Sequence, residues 1–560
     1  MIISDSLGFC RQSTGLPVVT VILTLALGSL GAETIEKKTE KNDGQAKAVV
    51  AKPQVPPAAP LVVPYESDQA PVPATRIDQL VQSVLKKQGI TPARTCSDEV
   101  FIRRVFLDVI GTLPKQREVV YFINSNDPGK RAKLIDVLMA RDEFTDYWTL
   151  KWCDLLRVKS EFPVNLWPNG VQAYHRWIRD AVKENRPYDV FARQLLTSSG
   201  SNFREPAVNF YRAVQGTDPE AIGEMVALTF MGVRTEHWSE NTRKEFGTFF
   251  SRVAYKKTVE WKEEIVYLDP EANTPLNAVF PDRKKITIPA GDDPRVAFAD
   301  WLITPENPWF TQSISNRVWY WLMGRGIIHE PDDVRPNNPV SNPGLLTYLQ
   351  GELVKSNYDL KHLFRLILNS QTYQQSCIPR SKHPYAAAYF GHYHMRRLDA
   401  EVLVDALNGF GNTTEKYWSP IPEPFTFIPE DKRTITLSDG SITSQFLEMF
   451  GRPSRDKGYE SERETNPTEF QRLYMLNSTE IHARIYKSPV LKQILAQTRN
   501  DKPATVRMVY LSILSRRPTP QEAAVALKYF NGPGKKSGST GAVYDLAWAL
   551  LNTKEFLYKH

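Results

Sequence analysis

The chain has 560 residues, 41% hydrophobic and 24% charged, with a formal charge of +7 from 70 basic and 63 acidic side chains. That length supplies two or three domains, and the balance is that of a soluble globular protein, which excludes a disordered or membrane-embedded one. The excess of +7 is mild for so large a surface, and no Lys/Arg run approaches the length of a nucleic-acid-binding arm.

Residues 1–32 read as a signal peptide. A polar start with Arg11 leads into the apolar run Leu16–Leu27, followed by the small residues Gly28, Ser29, Gly31 and Ala32. The run is short for a spanning helix and suits a signal-peptide core. The mature chain is therefore expected to begin near Ala32 or Glu33, in the periplasm or at the cell surface. An uncleaved N-terminus is the alternative and would be the sole membrane contact. Residues 33–75 form a linker rich in Glu, Lys, Pro and Ala, extended because proline fixes φ and removes donors.

Residues 76–254 carry helical periodicity, with stripes such as Val100, Phe101, Val105, Phe106, Val109 and Ile110. Thr217-Asp-Pro-Glu220 reads as a capping box with proline in the first turn. Residues 255–292 change to strand-like alternation through Val259, Trp261, Ile265 and Tyr267, then Ile286-Thr-Ile288. Residues 293–560 return to helix, interrupted by a loop-rich stretch from Trp418 to Thr443. The expected fold is mainly α: two helical bodies joined by a small β segment and packed into one unit.

Four cysteines (Cys10, Cys96, Cys153 and Cys377) form no Cys-x-x-Cys pair. Removal of the N-terminus leaves three, with room for one long-range disulfide in an oxidising compartment. No zinc helix, phosphate-cradling glycine loop or nucleophile elbow is present. His392-x-His394 would need a carboxylate such as Asp399 to hold a metal, so no metal site is assigned.

Two polar segments stand out. The loop Arg325–Asn338 gathers Arg325, Asp332, Asp333, Arg335 and Asn338, after Asn316, Arg317 and Trp319. Arg396, Arg397, Asp399 and Glu401 are read as opening a helix, with Asp405 one turn beyond Glu401. Asp332 or Asp333 is expected to meet Arg396 or Arg397, because a buried carboxylate needs a cation. Such a cluster is either a buried network that fixes the fold or, with Trp319 or Trp321 on an open wall, a glycan-type binding site.

A series of motifs runs in order through the second helical region. It includes Arg295-x3-Ala299-Asp-Trp-Leu302, Asn316-Arg-Val-Trp319, Gly324-Arg-Gly326, Asp332-Asp-Val-Arg335, Arg396-Arg-Leu-Asp-Ala-Glu401, Phe450-Gly-Arg-Pro453 and Arg516-Arg-Pro518. This region resembles the domain of unknown function 1553. Arg76 to about Arg252, with Arg103-x3-Leu107-Asp-x-Ile-Gly-x-Leu-Pro114 and Pro187-Tyr-Asp189, is similar to its usual partner, the domain of unknown function 1549. The resemblance implies an exported protein of the type found in planctomycetes and related bacteria, without an assigned reaction.

Relatives often carry a preceding cytochrome c domain, a Cys-x-x-Cys-His segment after the Gly-Val-Arg element, and Cys-Glu-Cys-Glu-Arg after Phe-Gly-Arg-Pro. Here these places read Gly232-Val-Arg-Thr-Glu-His-Trp238 and Tyr459-Glu-Ser-Glu-Arg463, and a linker stands where the cytochrome domain would be. Covalent haem needs two thiols and a histidine, so no haem or other cofactor is expected. The resulting expectation is an exported, non-haem binding or scaffold protein for surface glycans or for other exported proteins. The alternative is a hydrolase using Asp332, Asp333 and Glu401 for acid–base work on glycans.

Overall fold

Several helices in this protein begin at a side-chain N-cap. Ser97 accepts from the Val100 amide and opens helix Asp98–Val109, and Asn307 accepts from Trp309 and opens Pro308–Met323. The cap of helix Pro219–Val226 is Asp218, not Thr217, because it is the Asp218 carboxylate that reaches the Ala221 amide. The computed structural model describes residues 62–68 and 73–560, which form one compact unit. The expected signal peptide, residues 1–32, and most of the expected linker lie outside the described residues.

The fold is mainly helical, with small sheets between helical regions. Strands Val253–Lys257 and Glu264–Leu268 pair antiparallel with Tyr255 opposite Val266, and Gly200–Ser201 adds a short edge. Leu276–Val279 pairs with Lys285–Ile288. The alternating stretch thus forms two small sheets. Arg396 and Arg397 do not begin a helix: they form a two-residue strand on Tyr558–Lys559, and the helix runs Ala400–Gly411.

Helix Asp98–Val109 is interior, buried from Val100 onward, and it carries two arginines into the core. Arg103 donates to the carbonyls of Ile513 (3.0 Å) and Phe556 (2.9 Å). Arg104 donates to those of Tyr373 (2.6 Å), Gln375 (2.7 Å) and His560 (2.9 Å), with its guanidinium 3.7 Å from the Tyr393 ring centroid. A planar fork of five donors suits such carbonyl clusters. An early helix is therefore tied to the last residues of the chain, and the two helical regions share one core.

The end of the linker is not a spacer. Glu66 is buried and ion-paired with Arg380, and the Tyr65 hydroxyl donates to Glu555 at 3.1 Å. Cys96, Cys153 and Cys377 are free thiols, so the structure holds no disulfide among the described residues. Among them, too, no helix is long and apolar enough to cross a membrane.

The Phe450-Gly-Arg-Pro453 element has a backbone reason. Gly451 has φ of 76°, and a Cβ there would collide with the Glu464 carbonyl. Its own carbonyl accepts from the Glu464 amide at 3.1 Å. Both the left-handed backbone and the close approach require glycine. Gly451→Ala is expected to cost about 2–3 kcal/mol, from strain and displaced backbone together. A melting temperature within a degree of wild type would contradict this reading.

A candidate binding site

The polar candidates sit in a buried ionic network centred on Arg463. Its fork grips Glu401 at 2.6 and 3.2 Å and reaches Asp154 at 2.6 Å. Arg455 takes the other Asp154 oxygen at 2.8 Å, and Arg452 lies 3.8 Å from Glu401. Asp399 accepts from Lys151 and from the Tyr147 hydroxyl, both at 3.0 Å. Burial pushes the Asp399 carboxyl up, but Lys151, Arg463 and Lys559 together outweigh it and hold it well below the usual range.

Asp108 forms the next node. It binds Arg396 at 2.8 Å and Lys559 at 3.1 Å, and accepts from the hydroxyls of Tyr373 (3.0 Å) and Tyr393 (2.8 Å). On the other side, Asp332 pairs with Arg317 at 2.7 Å and accepts the Glu460 amide at 2.6 Å. Glu460 accepts from the Trp321 indole at 3.2 Å.

The direct pairing of Asp332 or Asp333 with Arg396 or Arg397 does not occur. Asp332 takes Arg317, Asp333 takes Arg335 at 3.1 Å, and Arg396 takes Asp108. Arg397 donates to the Phe450 and Glu464 carbonyls, both at 2.6 Å. Segment 459–463 bridges the two polar segments instead, since Glu460 contacts Asp332 while Arg463 contacts Glu401. Asp405, one turn from Glu401, belongs elsewhere and accepts from the Thr434 and Ile435 amides.

The other candidates have local duties. Asn316 donates to the Ile328 carbonyl at 2.9 Å and accepts its amide at 3.0 Å, which fixes the start of the loop. Trp319 is wholly buried, edge-on to Phe390. Arg325 is half-buried beside His329 and His394, and burial lowers its pKa. Asn338 donates to the Asp333 carbonyl at 2.7 Å. Asp399 is committed to Lys151 and unavailable to His392 and His394, and no described group of three His, Cys, Asp or Glu could hold a metal.

The two segments that stand in the haem-motif positions are neighbours in space. Arg234 lies 4.9 Å from the Tyr459 ring centroid, and His237 touches Arg335 at 3.3 Å beside Asp333. This patch is a web of ion pairs, with Arg234 also bound to Glu330 at 2.9 Å.

Chemically, the network is a tie. Asp332 and Glu401 are fully buried and Asp333 is held by two neighbours, so none presents a free carboxylate to a substrate. Trp321 does line a shallow apolar cleft with Trp148, Trp152 and Phe364, with room of about 40 Å³, but the carboxylates do not open onto it.

Sequence reasoning missed an exposed aromatic face. Trp167, at the start of helix Pro168–Lys183, meets Trp261, from the hairpin tip between Val253–Lys257 and Glu264–Leu268, with ring centroids 5.0 Å apart. Phe425 completes the group at 5.5 Å from Trp261 and 5.9 Å from Trp167. The Lys262 ammonium lies 4.4 Å from the Trp167 ring centroid. Trp261 is 53% exposed, Phe425 49% and Phe427 72%. The usable signal was the placement of these rings in charged, Pro-rich loops rather than at helical spacing.

Residues 76–245 match the family described as protein of unknown function (DUF1549), and residues 294–530 match the one described as protein of unknown function (DUF1553). No curated protein and no solved structure matches the chain.

Proposed function

From the premise that this chain joins a DUF1549 region to a DUF1553 region, we propose that it is an exported binding protein for surface polysaccharide. The supporting observation is the aromatic face in which exposed Trp261 and Phe425 meet half-buried Trp167. Large aromatic rings held in water are costly unless a partner covers them. A sugar ring has an apolar C–H face and a hydroxyl rim, which suits rings bordered by polar groups. Lys262 lies over the Trp167 and Trp261 rings, and Glu260 and Glu263 adjoin Trp261 in the sequence, a mixed-charge setting that fits a polar glycan better than a lipid surface. The apolar run Leu16–Leu27 supports export to the periplasm or cell surface. The sealed carboxylates favour binding over acid–base hydrolysis.

Affinity electrophoresis of the full chain through gels containing neutral β-glucan or acidic pectin tests this reading. Wild type should be retarded in at least one gel. Trp261→Ala should lose about tenfold or more in affinity, the scale of a truncated aromatic anchor, with its melting temperature unchanged. Equal retardation of wild type and variant, or none for wild type, would sink the proposal.

A further inference from the structure

A second cavity, of about 230 Å³ and open to solvent, lies between helix Glu469–Asn477 and the C-terminal segment that includes Leu557 and Tyr558. Its walls carry the cations Arg397, Arg472 and Lys554 and the apolar side chains Phe450, Met475 and Leu557, and no carboxylate lines it. Arg472 is paired outward with Glu469 at 3.2 Å, where both side chains are largely exposed. Arg472 and Lys554 are thus solvent-exposed rim groups, whereas Arg397 is built in.

Arg397 is only 4% exposed. Its Nη2 is used by the Phe450 and Glu464 carbonyls, but Nε and Nη1 have no protein partner. Buried polar groups are normally satisfied, and a guanidinium with a free edge calls for an acceptor. The backbone explains why it is held there: Arg397 is strand-paired with Tyr558, which forms another part of the wall. Burial of Arg397 lowers its pKa, and an anion at that edge would oppose the penalty.

We propose that this cavity binds an oxyanion carried on a sugar-sized body, with the free edge of Arg397 as the fork for the anion and Lys554 as a second charge. A planar guanidinium recognises carboxylate, sulfate and phosphate alike. Apolar Met475 and Leu557 face the rest of the ligand. The site is separate from the aromatic face and stands without it.

Titration calorimetry of the full chain with glucuronate, sulfate, phosphate and glucose tests the assignment. Glucuronate should bind and glucose should not; binding of sulfate or phosphate without glucuronate would overturn the sugar-borne ligand and leave a site for an inorganic ion only. Lys554→Ala should weaken binding about tenfold, the usual scale of one charge-assisted contact, while Trp261→Ala leaves it unchanged. Arg397→Lys, which keeps the charge and loses the fork, should weaken it further. If Arg397→Lys misfolds, the Lys554→Ala result decides. Absence of binding by all three anions, equal binding of glucose and glucuronate, or an unchanged affinity in Lys554→Ala would overturn the proposal.

Discussion

Arg463→Met is expected to lower stability by about 3–5 kcal/mol, the cost of stranding buried charges when one partner of an ion pair is removed. Arg463 is 9% exposed, and it is the group that touches Glu401, Asp154 and Asp399 together. Methionine matches much of its volume, so the loss reports charge and hydrogen bonding rather than a cavity. Glu401 would keep only Arg452 at 3.8 Å, well beyond a good hydrogen bond. Thermal scans at matched rates provide the comparison, because a chain of this size need not unfold reversibly. Adding Glu401→Gln to Arg463→Met should restore part of the loss, since an amide costs less to bury than an unpaired carboxylate. A single variant as stable as wild type would show that the network contributes little to the fold.

Mild acid is the second large effect. Burial is the main cause that lowers the pKa of His175 to about 3, His394 to about 4 and His560 to about 4, from an ordinary value of 6.5. Nearby arginines, such as Arg455 at His175 and Arg396 at His394, push in the same direction. Unfolded, each imidazole takes a proton near pH 6.5, whereas in the folded chain it stays neutral to about pH 4. The unfolded state therefore binds more protons in that window, and stability falls as pH falls through it. One such histidine contributes about 1.4 kcal/mol per pH unit at most. His560 is 6% exposed and should approach that figure, while water reaching His175 and His394 reduces theirs.

Asp399 and Asp154 enter later. Asp399 sits well below the usual carboxylate range, so its contribution is lost only at lower pH. The expected result is a melting temperature that declines from pH 6.5 toward pH 4, ahead of Asp399 protonation. His394→Gln should flatten part of that slope. A melting temperature constant over this window would refute the assignment.

Helix positions and the β connector were legible because their signals are local. Asp218-Pro219 starts a helix through its own side chain and ring, and the alternation around Ile265 and Tyr267 is a property of neighbouring residues. The requirement that Asp332 have a cation was legible too, since it follows from burying any carboxylate. Which cation answers was not. Arg317, one helix earlier, and the amide of Glu460, 128 residues later, take it, while Arg396 goes to Asp108, 288 residues away.

The sequence by itself determined the mainly helical class, a change to β pattern between Tyr255 and Pro289 and the polar character of the Arg325–Asn338 loop, all of which depend on short-range pattern. The tertiary structure alone decided that Arg463 reaches Asp154 across 309 residues, that Arg397 keeps two nitrogens free beside a cavity, and that Trp261 stands in water while Trp319 is sealed. The physical reason is that charge partners and burial are set by which distant surfaces close on one another, and a residue's chemical type is the same whether a neighbour arrives or not.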